Sequence, residues 1–185
     1  MNGPPSIVDT LTSMLNQSIQ VLSKPSVATF EQFENKGTLR EALTYVVVAA
    51  ALTGLLSLGG GLGGFLSGIA ITVVGFLVFT YLVFYVGKSQ GGTGSFDQVA
   101  YSFALFWAPI NVLFAALSLL LLITLIGIFL IPLLVLVALV VNVYFAYLAV
   151  QSSMNLREGS KIWITLATAF VGTLGVSLFL SSLLR

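Results

Sequence analysis

The chain has no cysteine, no histidine and little charge: seven Lys and Arg and six Asp and Glu among 185 residues. Without cysteine there is no disulfide, no thiolate nucleophile and no thiolate-bound metal. Without histidine the commonest general base, metal ligand and physiological pH switch are missing. A net charge of +1 leaves no electrostatic footprint for nucleic acid. The shortage of charge is also uneven. Residues 42–87 and 98–156 contain no Lys, Arg, Asp or Glu at all. A water-soluble domain cannot clothe its surface that way. With 58% hydrophobic residues, the composition is that of an integral membrane protein. The opening MNGPPSIVDTLTSML has no basic n-region and no long apolar core, so no cleaved signal peptide is expected.

A membrane helix needs about 20 apolar residues to cross about 30 Å of hydrocarbon. Five such spans are expected, at about 39–58, 65–86, 96–125, 128–151 and 161–184. The run Gly59-Gly60-Gly61-Leu62-Gly63-Gly64 is too glycine-rich to continue the first helix. The stretch from Gly87 to Gly94 reads as a loop. Residues 98–156 would make one helix of about 90 Å, so they must fold back. The break falls at Ile126-Gly127-Ile128, with Pro132 in the first turn or so of the next helix. Three capping boxes mark helix starts: Ser6 with Asp9, Thr38 with Glu41, and Ser95 with Gln98. The expected fold class is thus all-α. Residues 1–37 form a cytoplasmic segment with an amphipathic interfacial helix, and residues 38–185 a five-helix transmembrane domain.

With five spans, Lys24, Lys36, Arg40, Lys88, Arg157 and Lys161 share the N-terminal side, and Arg185 stands alone on the other. The positive-inside bias then puts the N-terminus in the cytoplasm and the C-terminus outside or in a lumen. Residues 6–22 read as an amphipathic helix. Ile7, Val8, Leu11, Met14, Leu15, Ile19, Val21 and Leu22 cover an arc of about 160°, interrupted only by Ser18. Its polar face lacks Lys and Arg, so apolar insertion rather than attraction to anionic lipid would hold it in the headgroup plane. The other reading is that it packs on the protein's own loops. A second short helix over 27–36 carries Phe30 and Phe33 as interfacial anchors and stops at Gly37.

No acid or base falls inside the hydrocarbon, which argues against proton relays, ion-coupled pumping and intramembrane proteolysis by an Asp pair or a Ser-His dyad. The strongest polar residues there are Asn111 and Asn142, equidistant from the expected turn. A hydrogen bond between them is the natural reading, and a polar path lined by both is the functional one. Pro109 should kink its helix and free the carbonyl of Leu105 for an Asn or a water. Small residues at Gly68-Thr72, Ala138-Asn142-Ala146 and Thr168-Gly172 suit close helix contacts. Tyr81, Tyr85, Tyr101 and Tyr147 suit an aromatic belt. The loop Gly91, Gly92, Gly94, Ser95 and Phe96 lacks the Lys that a Walker phosphate loop needs after its glycines, so it reads as a tight connector on which a partner can dock.

Tyr85-Val86-Gly87-Lys88, then Gly91-Gly92-Thr93-Gly94-Ser95-Phe96, Tyr101 and Pro109, together with Lys24-Pro25 and Phe30 upstream, resemble the Yip1 domain family over nearly the whole chain. The resemblance implies a five-span membrane protein with a cytoplasmic N-terminus. Eukaryotic members are Golgi and ER proteins tied to vesicle traffic, and they interact with prenylated Rab GTPases and with one another. They carry a longer N-terminal region with an Asp-Leu-Tyr-Gly-Pro motif, absent here, so a small GTPase partner is not expected and a prokaryotic plasma membrane is. The expected function is a non-enzymatic membrane scaffold or organiser acting through its cytoplasmic loops. Its partners would be the lipid bilayer, further copies of itself or other membrane proteins, with no cofactor, no metal and no nucleic acid. The alternative is a channel, transporter or lipid-moving protein with a polar path near Asn111 and Asn142.

Overall fold

The computed structural model describes residues 6–56, 61–124 and 127–183. Within them the chain forms seven helices: α1 (Ile7–Ser23), α2 (Val27–Glu31), α3 (Leu39–Leu56), α4 (Gly61–Ser89), α5 (Phe96–Leu122), α6 (Gly127–Ser153) and α7 (Gly159–Leu183). Helices α3 to α7 are each long and apolar enough to cross a membrane. The two short N-terminal helices precede them. Two of the three capping boxes close fully, and the third forms one arm. Ser6 and Asp9 close reciprocally at α1, and Ser95 and Gln98 at α5. At α3, Glu41 accepts from the Thr38 backbone N–H and hydroxyl, while Thr38 Oγ1 accepts from Arg40 N at 3.2 Å.

Helix bounds differ from the sequence expectation where glycine was read as a breaker. Gly61 opens α4 with a left-handed φ of +59°, Gly63 and Gly64 lie inside its first turn rather than in a loop, and Gly87 and Lys88 lie inside its last turn. Each glycine costs about 1 kcal/mol of helix propensity relative to Ala. In lipid, an unmade backbone hydrogen bond costs more than that, so the helix runs through Gly63 and Gly64, while Gly87 sits where a Cβ would come within 2.8 Å of Met154 Cε. Residues 57–60, which include Gly59 and Gly60, lie outside the described residues. The turn between α5 and α6 falls where expected, since α6 opens at Gly127. Pro132 sits in the second turn of α6 rather than the first.

Packing is concentrated at one end of the bundle. Helix α5 is buried from Val99 through Ile110, apart from Trp107 and Pro109, and nowhere beyond. Apart from Gly127, α6 is buried only from Phe145 onward. Phe106 links the layers, with its ring 6.2 Å from Phe30, 5.3 Å from Phe103 and 5.7 Å from Phe145. Phe30 and Phe33 are therefore core residues, 0% and 4% exposed, and not the interfacial anchors expected of them. The short stretch 27–36 is helical only to Glu31 and then turns tightly inward, which carries Phe33 into the core.

Candidate functional site

The packed end carries α1, α2 and the loops after α4 and α6, and these four pieces form one face. Its foundation is the docking of α1. Met14, Gln17, Ser18 and Val21, at helical spacing, are buried against α3 and α5. Tyr101 Oη donates to Gln17 Oε1 at 3.0 Å, and Tyr45 Oη donates to Ser18 Oγ at 3.2 Å. Gln17 Nε2 in turn donates to Ser13 Oγ at 2.9 Å. Burying Met14 and Val21 is worth about 1.5–3 kcal/mol each. Each hydrogen bond adds only about 1 kcal/mol net. Apolar contact therefore holds the helix down, and the two tyrosines set its register.

That register explains Ser18, which looked like an intruder on the apolar arc. The docked face is not the centre of that arc. It lies about 70° around the helix from it, at 3.6 residues per turn. Val8, Leu15 and Ile19 consequently stay 71%, 49% and 54% exposed, and Ile7 is exposed beside them. Leu11 and Leu22 are half-buried at the edge of the core. Ile7 also lines a shallow groove with Leu43, Val47 and Val48 of α3, so the ridge runs on into the outer surface of a spanning helix. Tyr101 is thus a buried docking residue, contrary to its assignment to an aromatic belt. Tyr81 and Tyr85 are exposed, as a belt requires, and stack with ring centroids 6.4 Å apart. A Cβ on Gly37 would overlap the Tyr101 ring, so residue 37 must be glycine for a reason beyond stopping a helix.

The Gly-rich loop packs against the end of α6. Thr93 N donates to Met154 O at 3.0 Å, and Asn155 Nδ2 donates to Thr93 Oγ1 at 3.1 Å. A Cβ on Gly94 would overlap the Ser153 carbonyl oxygen, and one on Gly92 would come within 2.7 Å of Met154 Cε. Gly91 has φ +92°, a left-handed conformation that favours glycine. Lys88 Nζ donates to Thr93 O at 3.0 Å. The loop's glycines and its one neighbouring base are therefore engaged by the protein itself. Ser95 and Phe96 start α5, and the Phe96 ring packs on Tyr81 at 5.9 Å and Phe84 at 5.8 Å.

Two carboxylates, invisible as partners in the sequence, complete the face. Asp97 Oδ1 accepts from Leu39 N at 2.8 Å, so a residue of α5 caps α3. Glu34 is buried, 6% exposed, and accepts from the Ser152 hydroxyl. Burial pushes its carboxyl above the ordinary 4.5; the Ser152 hydrogen bond opposes that shift, and nearby Glu31 adds to it. Neither contact has a local signal, because the partners are separated by 58 and 118 residues.

Deeper in the bundle the two asparagines do not pair. Asn111 Nδ2 donates to Trp107 O at 2.7 Å, and Asn142 Nδ2 to Ala138 O at 2.8 Å. Each amide serves the carbonyl four residues back on its own helix. Asn142 Oδ1 is buried without a partner, which excludes the expected bond. Asn111 reaches Trp107 O and not the Leu105 carbonyl that Pro109 frees. Asn142 lines a cavity among α4, α5, α6 and α7, and Asn111 is not among that cavity's lining residues. Of the small-residue pairs, Gly172 sits against Leu82, where a Cβ would lie 2.8 Å from Cδ1; a Cβ on Gly68 would meet open space.

A packed end with a docked amphipathic helix, set on five membrane-spanning helices, defines a multi-pass membrane protein. Residues 19–179 match the family model described as the Yip1 domain, and the chain belongs to that family. No curated protein and no solved structure matches the chain.

Proposed function

We propose that this protein is a non-enzymatic membrane organiser that works from its α1 face. The observation that carries this reading is the split use of α1. One side is pinned by Tyr45 and Tyr101, while Ile7, Val8, Leu15 and Ile19 stay uncovered. A contiguous apolar ridge left open on a rigidly seated helix is an interaction surface. With no cation on the polar side of α1, the ridge inserts into the headgroup boundary by apolar contact alone. The exposed ends of the loops over 88–96 and 153–160 then meet other membrane proteins or further copies of this chain.

The charge pattern supports placing this face in the cytoplasm. Lys24, Lys36, Arg40, Lys88, Arg157 and Lys161 all lie at this end. A reporter fused after Arg185 would be inactive in the cytoplasm on this reading, and activity there would invert the topology. The organising role is tested by crosslinking and co-purification from native membranes. Val8→Asn/Leu15→Asn/Ile19→Asn should lose partners that the parent retains, at equal abundance. An unchanged partner set would reduce α1 to an anchor and end the organiser reading.

A further inference from the structure

The cavity among α4, α5, α6 and α7 is not used by anything described above. Its volume is about 620 Å³, within the range of ligand pockets. The inner wall is Phe76, Phe103 and Phe106, all buried. The other side is Leu139 and Val143 of α6 with Trp163 and Phe170 of α7, all exposed on the outer surface of the bundle, with exposed Ile71 of α4 at one end. The cavity is therefore a chamber with a lateral window between α6 and α7. Because these are spanning helices, the solvent at that window is lipid hydrocarbon.

Three observations fix the occupant. First, the wall is nearly without polar atoms to hold water. Its polar side chains are Thr72, Trp107, Asn142, Trp163 and Thr173; Thr173 Oγ1 is spent on Ala169 O at 2.7 Å, Asn142 Nδ2 on Ala138 O, and Asn142 Oδ1 is buried, which leaves only the Thr72 hydroxyl and two indole N–H groups on an otherwise hydrocarbon wall. Apolar cavities of this kind stay dry. Left empty, its lining would forfeit dispersion contacts, so hydrocarbon from the surrounding bilayer is the favoured filling. Second, no charged side chain lines the chamber, so it takes a tail and not a headgroup. Third, its lining on α7 runs from Trp163 to Thr173, about 15 Å at 1.5 Å per residue. That equals one leaflet's share of a hydrocarbon core about 30 Å thick. Trp163 packs on Tyr147 with ring centroids 5.5 Å apart, at the level where aromatic side chains mark the interface. The chamber therefore starts at the headgroup boundary on the α1 side and ends near the midplane. Its inner wall, Phe76, Phe103 and Phe106, is at most 5% exposed, which is too narrow an access for a second copy's helix about 10 Å across.

We propose that this chamber is a lipid-binding site that takes one acyl chain of a phospholipid from the α1-side leaflet, entering between α6 and α7. The site stands apart from the α1 ridge, and either assignment can fail without the other.

The test uses the full chain in phosphatidylcholine vesicles doped with a phosphatidylcholine that carries a photoactivatable diazirine midway along one acyl chain. After irradiation, adducts are mapped by mass spectrometry. Adducts are expected on Phe76 and Phe106, which lipid surrounding the bundle does not reach. Gly75→Leu points a side chain into the chamber, since a Cβ there meets open space, and should lower those adducts several-fold. Gly68→Leu, equally unobstructed but off the chamber, should leave them unchanged. Adducts confined to outward residues such as Ile164 would overturn the proposal from the parent protein alone, as would inner-wall adducts indifferent to Gly75→Leu. Crosslinks between two copies through the window would overturn it too, by giving that opening to a second chain.

Discussion

The two ends of this bundle are built on different principles. At the α1 end, polar groups are paired across elements: Tyr101 with Gln17, Tyr45 with Ser18 and Glu34 with Ser152 in buried contacts, and Asp97 with Leu39 in an exposed one. Gly37, Gly87, Gly92 and Gly94 there leave no room for a Cβ. At the other end, Leu62, Leu66, Leu120, Ile123 and Phe129 are all exposed, and Gly63, Gly64 and Gly68 face open space. Lipid tails are as apolar as leucine, so the far end gains little by packing on itself. Specific packing and paired polar contacts hold the α1 end together, while the far end is solvated by lipid. Away from Gly127, where a Cβ would overlap Leu121 O, and Gly54, where it would lie 2.9 Å from the Phe65 ring, identical substitutions should then have opposite outcomes at the two ends.

The largest contrast is between two glycines. Gly94→Ala drives a Cβ into the Ser153 backbone and should cost about 4 kcal/mol or more, a severe loss among single substitutions. At about 2–4 °C per kcal/mol, the melting temperature in detergent would fall by about 10 °C. Gly68→Ala should be neutral or stabilising by up to about 1 kcal/mol through helix propensity. A Gly94→Ala protein that melts like its parent would erase the distinction between the ends.

Next in size is the docking of α1. Tyr101→Phe leaves Gln17 Oε1 buried without its donor and should cost about 1–3 kcal/mol. Hydrogen exchange should then quicken in α1 while α4 and α7 are unaffected. Uniform quickening would mean that α1 is not a separately seated element.

Glu34 sharpens the comparison through pH. Its folded-state carboxyl titrates above 4.5, so the folded protein binds the proton more tightly than the unfolded chain. Its contribution to stability is fully present below the unfolded value and is lost as pH rises from 4.5 through the raised folded value. Glu34→Gln keeps an acceptor for Ser152 and removes the charge. It should flatten this part of the pH–stability curve and raise the melting temperature at neutral pH by a few degrees. A pH profile identical to the parent's would show that the carboxyl is not desolvated.

The smallest expected effect concerns Asn111 and Asn142. Each bonds its own helix, so a double-mutant cycle with Leu at both positions should give a coupling under about 0.5 kcal/mol. A coupling of about 0.6–2 kcal/mol, as for an interhelical pair in a membrane, would restore the direct bond.

These contrasts follow the limits of what the residues disclose. The five spans, the α5–α6 turn and the three capped starts are legible, because hydropathy and capping chemistry act within a few residues. The extent of α4 was not, since its glycines are poor helix formers in water and the deciding penalty belongs to lipid. The register of α1 was hidden because its buried face contains Gln17 and Ser18, whose partners are tyrosines on two other helices. The Gly91–Ser95 loop was read correctly as a connector, yet what demands its glycines is the Ser153–Met154 backbone, some 60 residues away. Asn111 and Asn142 were matched by depth, but depth alone does not set the direction of a side chain.

The central claim is that α1 is seated on the bundle by one side and meets the bilayer with another. The chain has no cysteine, so single Cys positions can be spin-labelled without background. In vesicles, accessibility to oxygen and to an aqueous nickel chelate should sort α1 into three classes. Labels at Leu15→Cys and Ile19→Cys should favour oxygen, those at Thr12→Cys and Asn16→Cys the chelate, and one at Ser18→Cys should be shielded from both. Chelate accessibility at Leu15 and Ile19 equal to that at Asn16 would contradict the account.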